Sequence, residues 1–192
     1  RHRPACERGG HVAGVDARGA LGSSLRQVGG ELLILPQRVL FHRVGQQSAQ
    51  SWIQPVVDEL AFGFMVKYNT QTPIVYNTAQ LYRHDRLEQL KMALARAKAE
   101  GFIYGVKIVR GAYMEKERKR AEAKGYTDPI QPNKAATDRD YNAALELILS
   151  NLEHMAVVVG THNEASIELA ATLMIKHSIA FDSRRVYVAQ LF

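Results

Sequence analysis

Positively charged side chains lie within and at the end of one short apolar run in this sequence. Lys107 lies inside the run that begins at Tyr104, and Arg110 closes it before Gly111 and Ala112. A cation inside a buried β-strand is costly unless an anionic group meets it. We therefore expect Lys107 and Arg110 to bind an anionic ligand. We favour this over the alternative that they belong to an ordinary strand-to-helix connection.

Amides, a hydroxyl and a histidine are found at the ends of the other apolar runs. Asn77 and Gln80 follow one run, Thr-His-Asn at 161–163 follows another, and Gln190 lies in the last. The carboxyl ends of the strands of a barrel lie on one face, so we expect all of these groups to converge there. A set rich in cations and amides but poor in carboxylates suits an anionic cofactor whose own chemistry performs the difficult step.

Other common chemistries have no support in the sequence. Cys6 is the single cysteine, which excludes an internal disulfide and a cysteine zinc cluster. His162 and Glu164 form a lone His-x-Glu pair, which supplies too few ligands, and we predict no metal site. No Ser/His/Asp or Cys/His nucleophile set is apparent. No glycine-rich nucleotide fingerprint follows any of the apolar runs.

Strand and helix signals alternate from residue 51 onward. Ser51 can cap an amphipathic helix, and a strongly charged helix is predicted to end at Gly125. We expect Glu115 to Lys124 of that charged helix to form a solvated face. Further helices are predicted over about 85–100, 138–152 and 164–176, and strands over 73–77, 104–110, 155–160 and 186–192.

This order of elements indicates an α/β fold with a parallel sheet and right-handed crossovers. A doubly wound sheet and part of a (βα) barrel both fit the order. The polar residues at each strand end and the missing nucleotide fingerprints favour the barrel. The length of 192 residues suits one domain with a substantial core.

Residues 1–50 differ in texture from the rest of the chain. Glycine is frequent there and no helical period is convincing, so we expect a partly disordered or poorly packed leader. Apolar runs over 31–35 and 38–41 could form short strands. The net charge of +6 is interleaved with acidic residues, which weakly indicates an anionic ligand and no nucleic-acid partner. No apolar run approaches the roughly 18 residues that span a bilayer.

A series of short motifs, in matching order and spacing, carries a resemblance to one family. The motifs are Ser-Trp-Ile-Gln-Pro at 51–55, Val-Tyr-Asn-Thr-Ala-Gln-Leu-Tyr-Arg at 75–83, Lys-Ile-Val-Arg-Gly-Ala-Tyr at 107–113, Asp-Pro-Ile-Gln-Pro at 128–132, Ala-Ala-Thr-Asp at 135–138, Thr-His-Asn-Glu at 161–164 and Gln-Leu-Phe at 190–192. Residues 51–192 thereby resemble the proline dehydrogenase family. The resemblance implies a partial (βα)8 TIM-type barrel with parallel strands, incomplete at both ends.

The resemblance also implies an activity and its partners. Members of the family use FAD to oxidise L-proline to 1-pyrroline-5-carboxylate in proline catabolism, and they pass the electrons to a membrane quinone. Peripheral membrane contact is implied as well. The expected location is the cytoplasmic side of the inner membrane in a bacterium, or the mitochondrion in a eukaryote.

Individual residues acquire expected roles from the same resemblance. Lys107 falls where the family places a basic catalytic residue beside the flavin ring. Tyr113 resembles a tyrosine on the substrate side. The residues expected to contact FAD are Gln80, Arg110, Gly111, Ala112, Thr161, His162 and Asn163.

The sequence also departs from the family pattern. Gln47, Ser48 and Ala49 stand where the family carries Asp-Ala-Glu, whose Asp is catalytic. We find no counterpart in residues 1–46 of the family's substrate-binding lysine strand, nor of the paired arginines that follow Gln-Leu-Phe. We expect residues 1–50 to be an unmatched leader, from a frameshift or a wrongly assigned reading frame, and residues 51–192 to be the partial barrel.

Two other functions stay open at this point. One is a degenerate, non-catalytic barrel remnant with a binding role, which the lost Asp and the missing arginines favour. The other is a different barrel enzyme that acts on an anionic substrate such as a phosphate ester.

Overall fold

The computed structural model describes residues 27–28, 31–33 and 54–191, and these form one six-stranded sheet with helices. The strand order is β1-β2-β6-β5-β4-β3. The strands are β1 (Gln27–Val28), β2 (Glu31–Leu33), β3 (Tyr76–Gln80), β4 (Tyr104–Val109), β5 (Met155–Gly160) and β6 (Val186–Leu191). The helices are α1 (Gln54–Tyr68), α2 (Arg86–Glu100), α3 (Met114–Lys124), α4 (Lys134–Leu149) and α5 (Glu164–Lys176).

The strands β3 to β6 are parallel neighbours in chain order, as the alternating sequence pattern predicts. Helices α2, α4 and α5 lie in the connections between successive strands. This arrangement confirms the prediction of an α/β fold with a parallel sheet. The first two strands depart from it, because β1 pairs antiparallel with β2 and β2 pairs antiparallel with β6. The short link between β1 and β2 suits a hairpin and is too short for a parallel crossover.

Two element boundaries in the sequence prediction are wrong, and both errors have a local cause. A strand over 73–77 was expected, but the strand begins at Tyr76 because the Asn69 side chain accepts the backbone N–H groups of residues 74 and 75. Helix α4 was expected from about residue 138. It begins at Lys134 because the Asn133 Oδ1 accepts the N–H of Ala136 at 2.9 Å.

Helices α2, α3 and α5 end where the sequence indicates. Gly101 and Gly125 adopt left-handed conformations after α2 and α3, with φ of 72° and 69°. Ser51, the expected cap of the first helix, lies outside the described residues. So do the apolar run over 38–41 and residues 47–49, whereas the run over 31–35 contains β2.

The two faces of the sheet have different surroundings. One face packs against α2, α4 and α5 in the main core, which includes Val106 and Ile108 of β4. The opposite face carries a smaller apolar cluster with Tyr76, Val158 and Tyr187. Because side chains alternate along a strand, Lys107 lies on this second face, and in a closed barrel that face is the interior.

Helix α3 is less solvated than its charge predicts. Most of its side chains are exposed, but Glu117 has a relative exposure of 0 % and Ala121 is also buried. The expectation of a wholly solvated face from Glu115 to Lys124 is therefore wrong at Glu117. None of the described helices is long and apolar enough to cross a membrane.

Candidate functional site

Lys107 stands in the fourth position of β4 and points along the sheet toward its carboxyl edge. In the register, it lies between Thr78 of β3 and Val158 of β5. A Cβ built on Gly160, at the end of β5, would lie 3.5 Å from the Lys107 Cε. The same Cβ would lie 2.8 Å from the Val109 Cγ1 and 3.0 Å from the Ile108 carbonyl oxygen, so glycine is needed for the close approach of the two strands, and the half-buried lysine reaches the strand ends beside it.

Arg110 joins the ends of β4 and β5 to the first turns of two helices. Its Nη1 donates to the Thr161 Oγ1 at 2.8 Å, and its Nη2 donates to the Ser166 Oγ at 2.9 Å. Its Nε donates to the Asp138 Oδ1 at 2.6 Å. The guanidinium carbon also lies 4.3 Å from the centre of the Tyr141 ring, a cation–π contact. The guanidinium is thus held by α4, α5 and the end of β5 at once.

The residues that follow β5 form a compact turn into α5. The Thr161 Oγ1 accepts the Asn163 N–H at 3.0 Å, and the Asn163 Oδ1 accepts the Ser166 N–H at 3.0 Å. Asn163 is therefore the N-cap of α5, and its amide oxygen is used by the helix. His162 lies between these residues and is exposed. The amino ends of α4 and α5 both lie at this edge, where helix dipoles favour negative charge.

Gly111 is required by a neighbouring aromatic ring. Its φ is +116°, and a Cβ built on it would lie 2.4 Å from the Tyr82 Cδ1. The Tyr82 backbone N–H also donates to the Arg110 carbonyl at 2.7 Å. Ala112 and Tyr113 follow as exposed residues at the start of α3. The Tyr82 ring thus fills the space into which a side chain at position 111 would extend.

The remaining predicted residues divide between the two faces of the sheet. Gln80 ends β3 on the same face as Thr78 and is buried, with a relative exposure of 7 %. Asn77 lies on the helix-covered face, where its Nδ2 donates to Asp58 of α1 at 2.7 Å. Gln190 alternates with Ala189, so it also lies on the helix-covered face. The expectation that Asn77 and Gln190 join the other strand-end groups is wrong, because the side chains of both residues lie on the opposite face of the sheet.

Electrostatics at the site centre on the acidic partner of Arg110. A hydrogen bond from Lys134 is the largest influence on Asp138, and with Arg110 it lowers the pKa of that carboxyl despite some desolvation. Burial raises the pKa of the Tyr141 hydroxyl well above its usual range. Asp138 therefore stays ionised and Tyr141 stays neutral at neutral pH. No group of His, Cys, Asp or Glu among the described residues could hold a metal ion.

Sequence reasoning missed three residues that hold Arg110, and it missed the aromatic ring against Gly111. Asp138, Tyr141 and Ser166 come from helices whose relation to β4 depends on the tertiary fold. One signal was available for Asp138, since Lys134 precedes it by four residues and parallel crossovers bring the start of α4 to the strand ends. Tyr82 gave no signal beyond its place in a matching motif.

Fold and site together define a parallel α/β protein of barrel type with its polar groups at the carboxyl ends of the strands. The chain belongs to the proline dehydrogenase family, because the family model described as proline dehydrogenase matches residues 46–192. This confirms the resemblance seen in the motifs.

Curated relatives agree with this assignment. The chain is 35% identical over 152 residues to the mitochondrial proline dehydrogenase 1 of Homo sapiens, and the match covers 78% of this chain and 25% of that protein. It is 37% identical over 153 residues to the hydroxyproline dehydrogenase of Xenopus laevis, with coverage of 78% and 33%. The chain therefore spans between a quarter and a third of the length of these relatives.

Solved structures support the fold. Proline utilization A (PutA) from Bdellovibrio bacteriovorus, inactivated by N-propargylglycine, superposes with a TM-score of 0.65 at 22% identity. The match covers 71% of this chain and 14% of that one. A likeness at this identity supports the partial barrel and carries no information on ligands.

Proposed function

We propose that this chain forms the flavin-binding part of a proline dehydrogenase, which oxidises L-proline to 1-pyrroline-5-carboxylate with FAD in proline catabolism. One observation carries the proposal. Lys107 lies on the interior face of β4 and reaches the strand ends beside Gly160, while Arg110 and Thr161 are bonded at the neighbouring ends. Family membership adds to this geometry.

The residues at the strand ends fit an anionic dinucleotide. Lys107 and Arg110 supply positive charge, and the start of α5 adds the positive end of a helix dipole. Gly160 lets β4 approach the end of β5 closely beside Lys107, because a Cβ there would lie 2.8 Å from the Val109 Cγ1. Buried Gln80 adds an amide at the end of the neighbouring strand. The carboxylate that contacts Arg110 is Asp138, whose charge is already met by two cations, and Glu164 in the first turn of α5 is exposed to solvent.

The roles of the residues follow from their positions. FAD, when bound, would supply the two-electron chemistry by accepting hydride from proline. The Lys107 ammonium would stabilise negative charge that develops at the flavin, as the catalytic group of this chain. Gln80 would donate a hydrogen bond to the ring system. Arg110, Gly111 and Ala112 would line the cofactor, with Thr161, His162 and Asn163 toward its ribose and phosphates, and Tyr113 would face the substrate.

The partners extend beyond what this chain contains. We propose a quinone as electron acceptor and peripheral contact with the membrane that holds it. The curated human and nematode relatives are named as mitochondrial, which supports a mitochondrial location if the organism is a eukaryote. In a bacterium, we propose a cytoplasmic protein at the inner membrane. Residues 1–50 are proposed as a leader to the family's barrel, and residues 27–28 and 31–33 of it extend the sheet as antiparallel strands beside β6.

A flavin titration on the purified chain tests the cofactor directly. We expect a yellow protein whose bound flavin has a structured visible absorption band, and an affinity for FAD that falls when Lys107 and Arg110 are both replaced by Gln. A folded chain that leaves FAD free in solution, as judged by unquenched flavin fluorescence, would overturn the proposal. Replacement of exposed Lys91 and Lys98 by Gln provides a charge-matched control.

A second candidate function is a non-catalytic barrel that binds a ligand. The observation that favours it is the Gln-Ser-Ala sequence at 47–49, in the place of the family's Asp-Ala-Glu. Binding of FAD without any reduction by L-proline would support this candidate. Reduction of bound flavin by L-proline would exclude it.

A further inference from the structure

We propose that Asp138 is a positioning residue, which orients the Arg110 guanidinium so that Arg110 can meet the diphosphate of the cofactor. This inference rests on the proposed function, because it assumes that FAD binds at the strand ends. It assigns a role to a residue of α4 that lies outside the strands and their loops.

The geometry around Arg110 supports this role. Arginine carries its donors in a planar fork, and each edge of the Arg110 fork has a separate acceptor. The Asp138 Oδ1 accepts from Nε at 2.6 Å, the Thr161 Oγ1 accepts from Nη1 at 2.8 Å and the Ser166 Oγ accepts from Nη2 at 2.9 Å. Thr161 and Ser166 are neutral, so the bond to Asp138 is the one of these three that joins two charged groups. The bond at Nε sets the plane of the fork, which the ring of Tyr141 also supports.

The charge balance leaves this cluster able to attract an anion. Asp138 Oδ2 accepts from the Lys134 ammonium at 2.5 Å, while its Oδ1 accepts from Arg110. The single carboxylate is thus shared by two cations, and the three groups together carry a net charge of +1. The Arg110 side chain has a relative exposure of 20%, so it is not sealed from solvent.

Preorganisation explains why a fixed arginine would bind better than a free one. A mobile arginine side chain loses rotamer entropy when a ligand immobilises it. In this chain that entropy is already lost on folding, because α4, α5 and β5 hold the guanidinium before any ligand binds. A diphosphate would then meet a positive group whose direction is set.

A double-mutant cycle on the full chain tests the proposal. The dissociation constants of FAD and of riboflavin, which lacks the diphosphate, are measured for wild type, Asp138→Asn, Arg110→Gln and the double variant. We expect Asp138→Asn to weaken FAD binding by about tenfold and to leave riboflavin binding within about twofold. In the Arg110→Gln background, Asp138→Asn should have no further effect on FAD, since its action passes through Arg110.

Matched controls separate orientation from charge and from folding. Lys134→Gln removes the other partner of the same carboxylate but leaves the bond between Asp138 and Arg110, so its effect on FAD affinity measures the contribution of charge, and we expect a smaller loss than for Asp138→Asn. Asp128→Asn removes a comparable ion pair with Arg118 on the surface and should have no effect. Circular dichroism reports whether each variant folds. If Asp138→Asn does not fold, Ser166→Ala replaces it in the cycle, because it removes one acceptor from the same fork.

The outcomes are distinct. Coupled effects that are confined to FAD support the positioning role. Additive effects of the two substitutions, an equal loss of riboflavin affinity, or tighter FAD binding by Asp138→Asn overturn it; the last result would mark Asp138 as an opposing charge. A folded wild-type chain that does not bind FAD would instead overturn the proposed function.

Discussion

The ring of Tyr82 occupies the space that a side chain on Gly111 would need. The built Cβ of Gly111 would lie 2.4 Å from the Tyr82 Cδ1 and 2.6 Å from its Cγ, and the backbone φ is +116°. Tyr82 is almost fully buried and is bonded through its backbone to both Arg110 and Gln131, so it has little freedom to withdraw. Gly111 is therefore needed for folding before any cofactor is considered.

Replacing Gly111 by Ala should therefore destabilise the chain without any ligand. We expect a loss of about 2–4 kcal/mol in the free energy of unfolding, from backbone strain and from the contact with Tyr82. Gly125→Ala is the matched control, because Gly125 has a φ of +69° but no atom within 4 Å of a built Cβ, so only the strain of about 1–2 kcal/mol applies. Urea denaturation measures both. Equal losses at the two glycines would show that Tyr82 does not resist the new methyl group.

The sequence predicted the elements whose signals are local. Strand β5 and helix α5 have the expected bounds, because an uninterrupted apolar run and an Asn cap mark them without help from the rest of the fold. The start of β3 was missed because the partner of its leading residues is the Asn69 side chain, which propensity does not reveal. The burial of Glu117 was missed because its helix reads as a charged surface segment.

The candidate site was predictable only in part. Lys107 and Arg110 could be identified from the sequence because cations in an apolar run are costly to bury without an anionic partner. The residues that hold Arg110 could not be identified, since Asp138 and Ser166 lie 28 and 56 residues from it along the sequence. Asn77 lies outside the site because side chains alternate between the two faces of a strand. The face on which Asn77 lies depends on where the strand begins, which the sequence does not determine.

Asn69 should be among the residues most important for stability. Its side chain is fully buried and uses both ends: Nδ2 donates to the carbonyls of Val75 and Ile103, and Oδ1 accepts from the N–H groups of Ile74 and Val75. Asn69→Ala would leave these backbone groups unpaired and should cost at least about 3 kcal/mol. Thermal and urea unfolding measure the loss.

The matched control for this prediction is Asn151→Ala. The Asn151 Nδ2 donates to the Leu147 carbonyl at 2.9 Å, but the residue is only half-buried, so water can replace the bond. We expect a loss of less than about 1 kcal/mol. Similar losses at the two positions would contradict the view that Asn69 joins the starts of β3 and β4.

Stability should fall in acid because of Asp85. Burial alone would raise the pKa of its carboxyl, but the bonds and charges of Arg86 and Arg83 outweigh burial and lower the pKa to about 2 from 3.8. A carboxyl with a lowered folded pKa contributes its stability above the unfolded pKa and loses it as the pH falls through the folded value. The contribution should thus be complete above about pH 4 and decline toward pH 2.

Asp85→Asn isolates this contribution. We expect the variant to be less stable than wild type at pH 6 and the difference between them to shrink as the pH falls toward 2, in urea titrations at fixed ionic strength. The amide keeps an acceptor for Arg86 but cannot titrate, so the pH-dependent part of the difference belongs to the carboxylate. A difference that is constant from pH 6 to pH 2 would contradict the assignment.

Lys107 should affect catalysis far more than folding. In a protein that turns over L-proline, Lys107→Met keeps the apolar stem beside Gly160 and removes the charge that we propose to act on the flavin. We expect kcat/KM for proline to fall by about 100-fold or more, as for the loss of a group that stabilises developing charge, with less than about 1 kcal/mol lost in unfolding. Lys91→Met is the control, since Lys91 forms only an exposed pair with Glu88. Dye-linked turnover and urea unfolding measured on the same preparations separate the two effects, and an unchanged turnover in Lys107→Met would remove this lysine from the mechanism.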